Sequence, residues 1–364
     1  MLLAIRNITH DRTRFGLSVA GVSLAVMLIL ILGAYRAGIY RQTSGYLDRA
    51  PGSVIIAQHG VRDFLATNSI LPPGAADAVA RSPGVASVTP IVAQTTIVEM
   101  DGSKQLAFFI GYTPGLGGGP WSLAEGREPT ASGEVVVDRV MAQEHGMHVG
   151  DQVTVLDRKL TVVGLADGTA LWIGSFVFAD ASTIQSLMHA PGASSFLFVT
   201  PKAGETAQQL RDSLNVPGTD PLLKSDVIAA DQHLFAKVYD AAIGLMTAIA
   251  FLVGVLVVGL IVYTATIERR REYGAFKAIG ARNRTLYKVV SIQALVSGVT
   301  GAVVGTLLAY GLGWLLVVWR PQFPVAIEPS AIFVALAASV AMAVLAALIP
   351  ARAIARLAPA EVFR

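Results

Sequence analysis

Residues 268–285, ERRREYGAFKAIGARNRT, lie between two long uncharged stretches, and those stretches decide the fold. Neither Ala241 to Ile267 on one side nor Val289 to Trp319 on the other contains Asp, Glu, Lys, Arg or His. About 20 apolar helical residues cross a hydrocarbon layer roughly 30 Å thick, so both stretches are predicted membrane spans. Both exceed that length, which predicts tilt or extension past the bilayer. Working outward, Phe15 to Tyr35 and Pro329 to Ala351 are also free of these charges and complete a set of four. A chain 53% hydrophobic and only 15% charged fits this class better than a soluble globular one. The first window follows a basic start, as a signal peptide would. It is too long for a cleaved apolar core and ends in Tyr35-Arg36-Ala37-Gly38 rather than a small-residue site, so a retained helix is expected.

Short basic segments set the orientation. Arg6, Arg12 and Arg14 precede the first span, seven Lys and Arg residues from Arg269 to Lys288 separate the second from the third, and Arg352, Arg356 and Arg364 follow the fourth. All three segments are predicted to face the cytoplasm, which places residues 40–239 outside. That stretch holds 13 basic and 19 acidic residues, a net of −6, and the remainder a net of +9. Topology and anionic lipid account for the basic part without nucleic acid. There is no cysteine, so disulfides and thiolate metal sites are excluded.

The predicted organisation is an elbow over 1–14, a first span over 15–39, an extracytoplasmic α/β domain over 40–239, and a second span with a stalk over 240–267. A cytoplasmic loop over 268–288, a third span over 289–319, a short outer loop over 320–328, a fourth span over 329–351 and a cytoplasmic tail over 352–364 complete it. Met1, Ala4, Ile5 and Ile8 share one helical face, as in an interfacial amphipathic helix; a plain basic flank reads the stretch equally well. In the outer domain, Val85–Met100 and Lys104–Tyr112 read as strands joined at Asp101-Gly102, a hairpin signal. Further strands are predicted at 53–57, 133–138, 176–180 and 194–200, a hairpin over 151–167, and helices over 74–81, 139–144, 181–189 and 205–215. The fold class is an α-helical membrane protein of four transmembrane helices, with a large α/β domain of mixed sheet inserted between the first two.

Chemistry-bearing motifs are scarce. PGLGGGP (114–120) lacks the Gly-Lys-Ser/Thr ending that grips a phosphate and reads as a mobile surface loop. His145 and His148 are interrupted by Gly146 and lack a carboxylate at ligand spacing, so no metal site is expected, and without G-x-S-x-G, H-E-x-x-H or an inward carboxylate pair no catalytic site is expected either. The spans carry no ionisable group except tyrosine, which argues against ion-coupled transport and places the energy source on a partner. In the third span Ser297, Gly301, Gly305, Ala309 and Gly313 recur every four residues, a groove for close helix packing either within the subunit or between two. In the loop, Tyr273, Phe276 and Ile279 advance by three on one apolar face, with Glu272 and Lys277 beside it and Gly280 where a helix would stop. Such a helix can seat in a partner's groove.

Glu272-Tyr273-Gly274-Ala275-Phe276-Lys277-Ala278-Ile279-Gly280-Ala281 resembles the loop signature of the MacB and FtsX-type permeases of ABC transporters, E-x-G-x-[aromatic or Leu]-[Lys/Arg]-A-[Ile/Leu]-G-A. AIRNITHDRTR (4–14) is similar to that family's cytoplasmic elbow, GEVVVDRVMAQEHGMHVGDQVTV (133–155) to part of its outer domain, and PARAIARLAPAEVFR (350–364) to its closing motif. The family commonly has an acidic residue where Ala358 stands. The resemblance covers the whole chain, and RNITHDRTRFGLSVAGV (6–22) is closer to the DevC-like branch associated with glycolipid export. It implies a permease of the bacterial inner membrane with both termini cytoplasmic, working as a homodimer or heterodimer with a separate ATPase that binds ATP and Mg. The 272–280 helix would seat on that ATPase and the second span would relay its movement outward. The implied function is export of a lipid, glycolipid, drug or similar substrate, with a membrane-fusion protein as an accessory partner. FtsX-like signalling to cell-wall hydrolases and lipoprotein extraction are the alternatives.

Overall fold

The computed structural model describes residues 12–100, 102–268, 271–272, 274–275, 279, 283–320 and 322–355. In chain order its elements are α1 (Arg12–Arg49), β1 (Val54–Gln58), α2 (Ala75–Ala80), β2 (Val85–Met100), β3 (Ser103–Tyr112), β4 (Leu123–Gly126), β5 (Glu134–Asp138) and α3 (Arg139–Glu144). There follow β6 (Gln152–Val155), β7 (Arg158–Ala166), β8 (Ala170–Leu171), β9 (Gly174–Asp180), α4 (Ala181–Leu187), β10 (Phe196–Pro201), α5 (Ala207–Ser213), β11 (Thr219–Leu223), α6 (Lys224–Glu268), α7 (Asn283–Trp319) and α8 (Pro329–Ala355). The chain divides into two compact units, Ile39–Val238 and the remainder.

Four helices, α1, α6, α7 and α8, are long and apolar enough to cross a membrane. They outrun the charge-free windows: α1 continues through Arg36 and Arg41 to Arg49, α6 starts at Lys224 rather than 240, α7 at Asn283 rather than 289, and α8 reaches Ala355. Charge ends a hydrophobic window but not a helix. Backbone breakers do that, and the first after α1 is Pro51-Gly52, while Pro221 precedes α6. The predicted elbow over residues 1–11 lies outside the described residues.

Within Ile39–Val238 the strands pair in the order β11-β1-β10-β2-β3-β9-β5-β7-β4, with β6 joined to both β2 and β7. The long β2 serves two sheets: Val85 to Ile91 pairs with β10 and Val92 to Met100 with β3. Because β6 bridges β2 and β7, the strands β2, β3, β9, β5, β7 and β6 pair in a closed ring. The sheet is mixed, since β3 runs parallel to β9 and β5 parallel to β7. Side chains alternate in direction along each strand, and both faces are buried. Phe108, Ile110, Phe176, Phe178, Phe196 and Phe198 enter one core with Tyr46 and Leu47 of α1 and Val227 of α6. Ala107, Phe109, Val135, Val137 and Val177 enter another, capped by Met141 of α3 and Ile184 of α4. Both short helices start on an aspartate that ends the preceding strand. Asp138 accepts from the amides of Val140 and Met141, and Asp180 from that of Ser182.

Three strands were not predicted: β4, β8 and β11. Each is short, and β11 contains Pro221, which a sheet tolerates at an edge such as β11 occupies. The β6–β7 hairpin turns on Leu156 and Asp157, both at positive φ (46° and 61°), where glycine is the usual signal.

Candidate functional site

Gly301 and Gly305 of the third span pack against the first helix of the same chain. A Cβ on Gly301 would lie 2.5 Å from Val22 Cβ, and one on Gly305 would lie 2.6 Å from the Ser23 carbonyl oxygen. Ser23 Oγ donates to the Gly301 carbonyl at 3.1 Å, so the helices meet closely enough for a short side chain on one to reach the backbone of the other. Ser297 and Ala309 are buried, and beside Gly313 the neighbours are Val325, Ile327 and Ile31. Gly301 and Gly305 therefore meet α1 within the subunit, while Gly313 lies nearest Val325 and Ile327. Further close approaches tie α6 to α8 (Gly259 beside Ala346) and α7 to α8 (Gly298 beside Ala343). In lipid, where no hydrophobic effect draws helices together, such small-residue contact holds a bundle.

Arg36 of α1 and Asp240 of α6 form a bidentate pair, with bonds of 2.7 and 2.6 Å. Between α7 and α8, the stretch 320–328 returns across α1: the Ala326 amide donates to the Ala34 carbonyl at 3.0 Å, and Phe323 lies 6.0 Å from the Tyr35 ring.

Of the predicted ATPase-coupling residues, Glu272 is helical and exposed, Gly274 is helical and buried, and Ile279 is 85% exposed. The Ile279 amide donates to the Ala275 carbonyl at 3.1 Å, one turn of helical bonding. Tyr273, Phe276, Lys277, Ala278 and Gly280 lie outside the described residues.

The glycine-rich loop is held in place. Tyr46 Oη donates to the Gly118 carbonyl at 2.9 Å and Thr89 Oγ1 to the Leu116 carbonyl at 3.0 Å. Gly118, at φ +84°, lies against Ile91 and Gly119 against the Tyr112 ring, neither leaving room for a Cβ. The loop lies at the surface as expected, with Leu116 52% exposed, and the hydroxyls of the buried Tyr46 and Thr89, far away in sequence, bond two of its carbonyls. His145 is turned toward the Met141 carbonyl and Gln105, while His148 stands beside Asp151.

Sequence reasoning passed over Asp231 near the start of α6. It is 1% exposed, and its Oδ1 accepts from the amides of Phe64 (3.0 Å) and Leu65 (3.1 Å). Phe64 in turn stacks on Tyr46 of α1, with ring centroids 5.1 Å apart. The 61–65 segment is thus fastened to both helices inside the inserted domain. No local signal marked it: Asp231 is one of several aspartates ahead of the second apolar window, and Phe64 lies 167 positions away.

The profile of the MacB-like periplasmic core domain matches residues 15–215, and that of the FtsX-like permease C-terminal domain matches residues 244–359. The chain belongs to the MacB/FtsX-type family of ABC transporter permeases. It is 27% identical over 355 residues to an uncharacterized ABC transporter permease of Mycobacterium tuberculosis, covering 94% of this chain and 95% of that one. With one from Mycobacterium bovis it shares 25% over 342 residues, covering 93% and 91%. A 98-residue stretch is 34% identical to the macrolide export ATP-binding/permease protein MacB of Nitrosomonas europaea, covering 27% of this chain and 15% of that one. Among solved structures, the periplasmic region of MacB from Actinobacillus actinomycetemcomitans aligns at a TM-score of 0.38 and 14% identity, covering 50% of this chain and 93% of that one.

Proposed function

We propose that this chain is the permease subunit of an exporter in which ATP and Mg bind a separate ATPase, and that the membrane helices relay the ATPase's closure to the inserted domain. The observation that carries this reading is that two family profiles together match most of the chain, one over the inserted domain and one over the last three spans. The reach of the helices supports it. At 1.5 Å per residue the 45 residues of α6 extend about 68 Å, more than twice the hydrocarbon thickness. Glu272 to Gly280 supply the ATPase contact on this reading, with Phe276 and Ile279 as apolar anchors. Two permease chains work together, in the bacterial inner membrane with both termini cytoplasmic, alongside an extracytoplasmic accessory protein. The substrate is a lipid, glycolipid or drug moved on the outer side, since the spans carry no ionisable path of the kind ion-coupled carriers use. The macrolide export named for the Nitrosomonas relative supports the direction of transport.

The test is co-reconstitution in vesicles with the ATPase recovered alongside the native chain. ATP should drive extrusion of a fluorescent lipid or drug only when both proteins are present, and the permease alone should turn over no ATP. ATP hydrolysis by the isolated chain, or an ATPase whose turnover ignores the permease, would sink this reading. ATP-dependent activation of a wall hydrolase without extrusion would replace it with signalling.

A further inference from the structure

The pinned loop Gly115 to Pro120 forms one wall of a cleft of about 330 Å³ in the inserted domain, whose other walls carry Tyr46, Arg49, Tyr112, Trp121 and Glu128. The two tyrosines are each 2% exposed and their hydroxyl protons are committed, Tyr46 to the Gly118 carbonyl and Tyr112 to Glu128 Oε2 at 2.8 Å. Burial first, then the neighbouring Glu128, pushes the Tyr112 phenol well above its ordinary range, so it stays a neutral donor. The Arg49 guanidinium sits 4.8 Å from the centre of the Trp121 ring and donates through Nη1 to the Gly45 carbonyl at 2.8 Å. Among the described residues it has no carboxylate partner. Glu128 likewise has no cationic partner there, although both charges line the same cleft.

Opposite charges in one concavity ordinarily pair if they can reach each other. Here each is held apart by its own scaffold: Arg49 by an aromatic face and a helix carbonyl, Glu128 by a buried phenol. A guanidinium has five N–H donors, and among the described residues Arg49 makes one bond. On Glu128 one carboxylate oxygen takes the Tyr112 bond. The cleft therefore presents an anion-binding group and a cation-binding group in a volume suited to a small molecule.

We propose that this cleft binds a small zwitterion, with the anionic end on Arg49 and the ammonium on Glu128. Two sources carry that chemistry, a phosphoethanolamine headgroup and an amino-carboxylate such as a short peptide. The site goes beyond the permease reading and stands without it, because binding is measured with no ATPase present.

The test is titration of the full-length chain, in a maltoside detergent, with O-phosphoethanolamine and separately with glycylglycine. Ethanolamine and inorganic phosphate serve as single-charge controls. Calorimetry gives the affinity, and tryptophan fluorescence, compared with Trp121→Phe, reports on the cleft. At least one zwitterion should bind about tenfold more tightly than either control. Arg49→Gln and Glu128→Gln should each weaken it by a similar factor. Both side chains are exposed, so neither substitution threatens the fold. Binding of only phosphoethanolamine assigns the site to a lipid-type headgroup, and binding of only glycylglycine assigns it to a peptide; either supports the cleft. The proposal is overturned if neither binds up to about 10 mM, if inorganic phosphate binds as well as the zwitterion, or if Glu128→Gln leaves affinity unchanged.

Discussion

Gly305 carries more of the bundle than its size suggests. A valine there would drive its Cβ into the Ser23 carbonyl and toward Val26 Cβ at 2.9 Å, and neither a helix backbone nor a branched carbon yields cheaply. Gly305→Val should cost about 1–3 kcal/mol and lower the thermal midpoint in detergent, whereas the same change at Gly311, with nothing within 4 Å, should cost little of this kind. Equal midpoints would show that α1 and α7 do not meet at this residue. Glu134 supports a different test. The Arg127 guanidinium, bonded at 2.8 and 2.5 Å, and then the amides of Thr130 and Ala131 hold its carboxyl down to about 2. A carboxyl held below its unfolded value near 4.3 contributes fully above that pH and loses the contribution as pH falls toward 2. Protection from hydrogen exchange over 127–134, taken relative to the intrinsic rate at each pH, should therefore fall between about pH 4 and pH 2, and Arg127→Gln should move that onset upward. An unchanged onset would remove the pair as the cause.

The segment between α6 and α7 is where the ATPase contact is proposed. Truncating a buried aromatic or aliphatic anchor commonly costs about 2 kcal/mol or more of binding. Phe276→Ala with Ile279→Ala should therefore strip the ATPase from the permease on co-purification while membrane insertion and yield stay normal. Ile279 is 85% exposed, so its loss removes little packing within the subunit. If the double variant retains its ATPase and exports at the normal rate, the segment serves topology alone. Most elements of the inserted domain were legible because period-2 apolar runs and turn pairs such as Asp101-Gly102 are local signals. β11 was not, since a five-residue strand containing Pro221 has no such signature and exists by pairing with β1.

For the whole molecule, the excess of Lys and Arg in the short segments predicts that residues 40–239 lie outside the cytoplasmic membrane. With no native cysteine, single thiols are clean reporters. Ser122→Cys should react with an impermeant maleimide in intact spheroplasts and Arg271→Cys only after permeabilisation; the opposite pattern would invert the topology. What the sequence determined by itself follows from one-dimensional quantities: four spans from uninterrupted apolar length, an inserted α/β domain from alternation and turn residues, and the family from contiguous motifs; loop charge adds an expected orientation. Tertiary structure alone decided that Gly301 and Gly305 of α7 seat against α1, that β2 is shared between a sheet and a closed ring, that Asp231 fastens Phe64 and Leu65, and that Arg49 and Glu128 share a cleft without pairing. Each of these joins residues tens to hundreds of positions apart. Contacts of that kind are set by the simultaneous packing of many side chains, and no local pattern records which distant partner a residue will meet.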